Sequence, residues 1–437
     1  MKQFFLQKIL TPYLSWCARG IITKNKPLVV GITGSVGKSS TKEAIDCILK
    51  NRFRVRKSIG NLNNEVGLPL TIICDKNPKG NIWEWFLVIL QGFFLTLKKS
   101  KNYPKILILE MAVDRPGDME HLVSIAPPKI GVITDIGVTH LEFFRDEKKI
   151  LQEKAVLVNN LPPDGLAILN YDNVHLRSYA KSFKKPVFTY GFRDGADVRA
   201  TNLKIGYSKD LGEGVNLAKG TSFRASYKTI FLPIELPKII SKTQVYSTLA
   251  AIAAGIQLGM NLVEISEQLK KFNPLPGRMC LLRGKKGNII IDDTYNAAPN
   301  SVKSALEVLA LVKSKKKTVI LGDMLELGGI EEKAHQNLAK FIYPVAGKVI
   351  LVGQRTVATH KELRKLGFPK DKISHFRIVT HLLKKLPELI GKGEVILVKG
   401  SQGLRMEKAV EELVARKEKK YLTRQDKYWK KKEVREV

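Results

Sequence analysis

Leu28-Val29-Val30-Gly31-Ile32-Thr33-Gly34-Ser35-Val36-Gly37-Lys38-Ser39-Ser40-Thr41 runs from an apolar strand through a glycine-rich turn into a helical pattern. The glycines let the backbone turn tightly, so successive N–H groups and the start of the next helix converge on one point. That is a cradle for phosphate. In it Gly34, Ser35, Val36, Gly37 and Ser40 surround the phosphates, Lys38 neutralises their oxygens, and Ser39 is placed to ligate magnesium. Ile32 stands where the strict P-loop pattern has its first glycine, so the loop is an irregular member of its class.

Outward from this stretch, apolar runs alternate with helical patterns: Pro27 to Thr33 then Lys38 to Lys50, Ile106 to Met111, Ile130 to Asp135, then Asp146 to Asn159. This rhythm predicts an α/β fold with a central, mainly parallel sheet of P-loop type. Phe188 to Leu236 reads as a β-rich flank, followed by the Ala-rich helix Val245 to Leu258. Pro274, Pro276 and Gly277 break the pattern, and a fresh alternation predicts a second, smaller Rossmann-like α/β domain: Asn288 to Asp292, a helix from Ser301, Thr318 to Leu321, a helix from Glu331, Lys348 to Val352, and Glu394 to Val398. The expected division is an N-terminal amphipathic helix (1–26), a central ATP-binding domain (27–272), a C-terminal domain (273–416) and a basic tail (417–437) that is a charged helix or frays.

At 437 residues with 44% apolar content the chain is long enough for two or three cores. Lys plus Arg exceed Asp plus Glu by 74 to 41, a net charge of +33 that favours anionic partners without choosing among them. No aromatic-rich single-strand motif or zinc finger is present, so no specific nucleic-acid partner is expected. The four cysteines lie far apart without a C-x-x-C pair, which fits a reducing cytoplasm and excludes a zinc ribbon or disulfide framework. The first twenty residues lack the long apolar run and cleavage site of a signal peptide. Trp83 to Leu97 is too short to span a bilayer. With Lys98, Lys99 and Lys101 beside it, it either lies peripherally in a membrane surface or packs on its own domain, and the sequence leaves both open.

Glu110 ends the strand Ile106-Leu107-Ile108-Leu109, and His140 follows the strand Gly131-Val132-Ile133-Thr134. Ligand crevices of open α/β sheets lie off the carboxyl ends of strands, so both residues are candidates to face the phosphate loop. A helix-capping Glu110 and a structural His140 are the alternatives.

Eight ordered stretches carry a resemblance: Gly31 to Ser39, Gly60 to Thr71, Leu109-Glu-Met111, Thr139-His-Leu-Glu142, Pro276-Gly-Arg278, Asp292-Asp-Thr-Tyr-Asn-Ala-Ala-Pro299, Leu321 to Gly328, and Lys399 to Glu407. Together they resemble the Mur ligase family from about residue 27 to about residue 415, and the last two resemble its members that add D-alanyl-D-alanine.

The resemblance implies an ATP-dependent amide-bond ligase of peptidoglycan precursor synthesis, with UDP-N-acetylmuramoyl-tripeptide and D-alanyl-D-alanine as partners, working as a monomer. It implies ATP and two Mg2+ ions, with Ser39, Glu110, His140 and a carbamylated Lys154 as metal ligands. Arg278 is expected at the γ-phosphate, and Asp292, Tyr295 and Asn296 at the ribose and base. Asn63 and Asn64 are expected beside the muramoyl peptide, and Asp323, Glu326, Lys399, Ser401 and Arg405 near the incoming dipeptide or the peptide carboxylate.

Three stretches depart from the family pattern. Only thirty residues precede Gly31, where members usually carry a separate UDP-binding domain. Ser241-Lys242-Thr243-Gln244 replaces a Gly-x-His-Asn segment, and Trp83 to Leu97 reads as an insertion. Alternatives are therefore a Mur-like ligase with another acceptor or a lipid-linked donor, or a nucleotide-dependent binding protein at the membrane surface. A cysteine cluster expected of ligases that amidate lipid-linked precursors is absent from the sequence.

Overall fold

The strand that opens into the phosphate loop lies inside a nine-stranded sheet of the computed structural model, which describes residues 9–60, 62–74, 78, 82–137, 144, 146–208, 217–426 and 429. In chain order the strands are β1 (Leu28–Thr33), β2 (Val55–Lys57), β3 (Ile106–Glu110), β4 (Ile130–Ile133), β5 (Leu166–Asn170), β6 (Val187–Gly191), β7 (Val198–Ser208), β8 (Leu217–Tyr227) and β9 (Ile230–Leu236). Their spatial order is β2-β3-β1-β4-β5-β6-β7-β8-β9. Pairing is parallel from β2 through β7 and antiparallel across β7, β8 and β9, which makes the β-rich flank.

Both faces of this sheet are covered, which is why its central strands are apolar throughout rather than alternating. Val30 and Ile32 of β1 pack with Ile45 and Ile48 of the helix Lys38–Leu49 and with Leu249 and Ile252 of the helix Lys242–Gln257. Val29, Leu107 and Leu109 point the other way, against Leu14 and Ile21 of the helix Thr11–Asn25 and Leu68 and Ile72 of the helix Gly67–Ile73. The N-terminal helix is thus a wall of the first unit rather than a separate segment. It begins at Thr11 with Pro12 in its first turn, where a missing N–H costs nothing. The first eight residues lie outside the described residues.

The second sheet has six strands: β10 (Cys280–Arg283), β11 (Ile289–Asp293), β12 (Lys317–Gly322), β13 (Lys348–Val352), β14 (Ile373–Phe376) and β15 (Val395–Lys399). Their order is β10-β11-β15-β12-β13-β14, parallel except for the antiparallel edge strand β10. Ile291, Val319, Leu321 and Leu397 face the helices Pro299–Leu311 and Glu331–Ile342, while Ile290, Ile320 and Val398 face the helices Val379–Leu389 and Glu407–Leu413. Mixed α/β architecture with a large, mainly parallel sheet and a second sheet agrees with the expected class.

One expectation needs correction. The segment after residue 416, expected as a charged helix or a frayed tail outside the core, folds back in its described part on the second unit. Leu422, Thr423 and Arg424 are buried. Arg424 donates to Thr294 O at 3.1 Å, to Tyr295 O at 2.5 Å and to Glu407 Oε2 at 3.0 Å. The lysine-rich composition conceals this, because one arginine with a buried carboxylate and two carbonyls holds the segment while Lys417 and Lys420 stay exposed.

Candidate active site

Strand β1 ends between β3 and β4, with Ile32 registered beside Glu110 and Thr33 beside Ile133. The loop that follows is fixed from the β4 side. Ser35 N donates to Asp135 O at 2.8 Å, Ser35 Oγ donates to Gly137 O at 3.0 Å, and Thr134 Oγ1 donates to Val36 O at 2.6 Å. Glycine is required twice. Gly34 has φ +143, and a Cβ there would sit 2.1 Å from Thr134 Oγ1; Gly37, at φ +89, turns the chain into the helix Lys38–Leu49. The loop and the helix N-terminus therefore form the expected cradle with Ile32 buried beneath it in the strand.

Lys38 Nζ donates to Gly34 O at 2.7 Å, and burial holds its pKa below the usual lysine range, against the pull of Glu110. Ser39 Oγ donates to Glu110 Oε1 at 3.1 Å, and Asn63 Nδ2 donates to the same oxygen at 3.2 Å. Glu110 is 2% exposed; its Oε2 accepts no hydrogen bond and has Lys42 Nζ 3.4 Å away. Lys154, on the helix Glu147–Asn159, is also 2% exposed, and burial followed by the nearby Lys38 charge lowers its pKa to about 7. His140 lies outside the described residues.

A cleft of about 330 Å³ joins the two units. The first unit contributes Ser35 to Ser40, Asn63 and Glu110 to its lining, and the second contributes Tyr295, Asn296, Glu326 and Lys399. Arg278 stands at the junction, its guanidinium 3.9 Å from the Tyr295 ring centroid and its carbonyl accepting from Gln244 Nε2 at 2.8 Å. The departing segment Ser241 to Gln244 thus has a defined place: Ser241 caps the helix Lys242–Gln257, and Gln244 ties that helix to the interdomain connection. A neighbouring cavity of about 690 Å³ is lined by Asn63, Asn64, Asp114, Arg115, His121 and Glu326 among others. Asn64 Oδ1 also accepts from Gly67 N at 3.0 Å, holding the start of the helix Gly67–Ile73.

Four residues expected in the second unit's side of the site do not line the cleft. Asp292 is fully buried, with Oδ1 accepting from Thr294 Oγ1 at 2.6 Å and Oδ2 without a partner, and burial raises its pKa to about 6. Asp293 takes the cleft position instead, paired with Lys399 Nζ at 2.5 Å. Asp323 is buried against Arg355 and accepts from Thr356 N at 2.9 Å. Ser401 Oγ accepts from Leu325 N at 2.9 Å and donates to Ala297 O at 3.3 Å, bracing two cleft loops. Arg405 is buried with Glu407 and bonds Trp429 O at 3.0 Å. Motif spacing could not separate residues that touch a ligand from those that hold the loops.

Lys42 and Asp293 are absent from the residues expected from the sequence. Lys42 is one helical turn beyond Lys38 and so shares its face, and Asp293 is the strand neighbour of Asp292 and so points oppositely. Asn170, at the carboxyl end of β5, lines a further cavity of about 380 Å³ with Gly37, Thr134 and Asp135; strand-end logic could have found it.

Residues 32–84 and 90–255 match the Mur ligase middle domain, and residues 277–402 match the Mur ligase glutamate ligase domain. The UDP-N-acetylmuramoyl-tripeptide–D-alanyl-D-alanine ligase of Bacillus subtilis (strain 168) is 30% identical over 88% of this chain and 76% of its own length. The protein of that name from Rickettsia prowazekii (strain Madrid E) is 30% identical over 89% of this chain and 78% of its own. Among solved structures, the MurF ligase from Thermotoga maritima in complex with ADP superposes with a TM-score of 0.75 at 27% identity, covering 92% of this chain and 83% of that one. Phosphate loop, two-sheet architecture and similarity over most of the chain agree, and the chain belongs to the Mur ligase family.

Proposed function

We propose that this chain is an ATP-dependent ligase that joins the free carboxylate of UDP-N-acetylmuramoyl-tripeptide to the amine of D-alanyl-D-alanine, the joining that its relatives' names describe, as a cytoplasmic step of peptidoglycan precursor synthesis. The observation that carries the reading is the cleft in which Lys38, Ser39 and Glu110 face Arg278, Tyr295 and Lys399 from the other unit. A carboxylate is a poor acyl donor. Its oxygen attacks the γ-phosphorus of ATP, ADP leaves, and the resulting acyl phosphate offers a good leaving group. The dipeptide amine then attacks the carbonyl carbon, loses a proton and expels phosphate. Lys38 and Arg278 supply fixed positive charge where the phosphoryl group passes, and closing the two units on each other excludes water.

The residues present fit magnesium. Glu110 is a buried carboxylate whose Oε2 accepts no hydrogen bond and whose Oε1 meets the Ser39 hydroxyl, and these two side chains offer the hard oxygens suited to such an ion. Ser39 and Glu110 would hold it, joined by His140 and by Lys154 as a carbamate. Bound magnesium supplies positive charge that draws electron density from phosphate oxygens. Addition of carbon dioxide to an amine requires the unprotonated form, and burial gives Lys154 that form near neutral pH. The new N–C bond releases one proton and leaves an anionic oxygen pair.

Asn63 and Asn64 receive the muramoyl peptide at the mouth shared with the larger cavity, and Tyr295 and Asn296 flank the nucleotide. Glu326 and Lys399 stand on the dipeptide side, with Asp323, Ser401 and Arg405 as the scaffold behind them. Under magnesium and bicarbonate, phosphate release from ATP is expected to require both the UDP-muramoyl-tripeptide and D-alanyl-D-alanine. Release that ignores either substrate would overturn the assignment.

A further inference from the structure

We propose that the helix Ile82–Leu97 is an in-plane anchor that seats this enzyme on an anionic bilayer surface. The proposal does not depend on the ligase reading. Along the helix Trp83, Phe86, Leu87, Leu90, Phe94 and Leu97 recur at spacings of three and four, so they share one face, and each is exposed. Trp83 is 73% exposed, Leu87 61% and Phe94 62%, whereas on the other described helices exposed large apolar side chains occur singly. Contiguous exposed apolar surface of this kind marks an interaction site.

The opposite face is committed elsewhere, so the stripe cannot be a core face awaiting rotation. Val88 is buried, Tyr13 Oη donates to Ile89 O at 3.0 Å, and Thr96 Oγ1 lies 3.4 Å from Cys17 O. A Cβ added at Gly20 would meet Thr96 Cγ2 at 2.4 Å, and one added at Gly92 would meet Cys17 Sγ at 3.2 Å. Residue pairs 13 with 89, 17 with 92 and 20 with 96 advance together, so the two helices run parallel in close contact. Their shared buried face pins the stripe outward.

Length and charge choose the occupant. No helix among the described residues is long and apolar enough to cross a membrane. This one has 16 residues, so it can lie in the interface but not span it. The parallel helices end together, Ser100 N donating to Asn25 Oδ1 at 3.0 Å, which gathers the exposed Lys24, Lys26, Lys98, Lys99 and Lys101 at one end of the apolar stripe. Across residues 9–26 and 82–101 there are six basic residues and one acidic, Glu84. An apolar stripe with a basic end and a tryptophan at the other matches anionic headgroups over an acyl layer. A second copy of a chain carrying +33 would instead bring like charge to the same place.

Co-sedimentation of the full chain at low salt tests this with phosphatidylglycerol-containing and pure phosphatidylcholine vesicles. The wild type is expected to pellet with the former and stay mainly in solution with the latter. Leu87→Glu/Phe94→Glu and Lys98→Glu/Lys99→Glu are each expected to lower partitioning about tenfold or more, with unchanged thermal midpoints and monomeric light scattering throughout. The proposal is overturned if the wild type stays in solution with anionic vesicles, or if both variants bind as it does. A wild-type dimer that Leu87→Glu/Phe94→Glu converts to monomer would overturn it too, assigning the face to a second copy. Partitioning is read without substrates, so its failure leaves the ligase assignment standing.

Discussion

Lys38→Ala is expected to lower substrate-dependent phosphate release about a thousandfold, the scale of losing a preorganised charge aimed at a transferring phosphoryl group. The fold should hardly notice. Lys38 contributes one hydrogen bond, to Gly34 O, worth about 1 kcal/mol. Burial already disfavours its charged form, so the cation is kept at some cost in the folded state. Steady-state kcat measured beside the thermal midpoint separates the two effects. A fall of less than tenfold, or a large drop in midpoint, would mean that Lys38 holds the loop rather than acting on phosphate.

Asp292→Asn is expected to stabilise the protein by about 3 kcal/mol at pH 7, with little change in KM for ATP. Burial is the main cause of the raised pKa; the charges of Asp293 and Glu407 add to it, while bonds from Thr294 oppose it. An acid whose folded pKa of about 6 exceeds its unfolded value of 3.8 is penalised wherever the unfolded chain has ionised it. The penalty is absent below about pH 4, grows through pH 4 to 6, and is complete above that window. The amide keeps the acceptor for Thr294 and cannot ionise. Urea unfolding at pH 4 and pH 7 should therefore show a gap between variant and wild type only at the higher pH. An equal gap at both, or a less stable variant at pH 7, would refute it.

That pair of aspartates also shows where the sequence was legible and where it was not. Gly34 to Ser39 announced their own geometry, because a left-handed turn before a helix leaves few residue choices, and Glu110 followed from its place at a strand end. Asp292 and Asp293 are indistinguishable by motif; a strand's two-residue period sends one into the core and the other to the cleft, and its phase depends on which helices cover the sheet. Lys42 was passed over because a lysine one turn into a helix ordinarily faces solvent, whereas here Glu110 draws it inward to 3.4 Å. Arg405 reads as a substrate contact and Arg424 as part of a charged tail until the fold places Glu407 within reach of both. The apolar helix Ile82–Leu97 could be recognised in the sequence as apolar, but only its packing partner reveals which face is left outward.

In the proposed reaction the substrate carboxylate itself takes the γ-phosphoryl group in the cleft. Isotope transfer tests it most directly. UDP-muramoyl-tripeptide labelled with 18O in its reacting carboxylate is turned over with ATP and D-alanyl-D-alanine, and the released phosphate is examined by mass spectrometry. One 18O per phosphate is expected, since the bridging oxygen leaves with phosphorus while the other stays in the new amide. Product formation with unlabelled phosphate would contradict it.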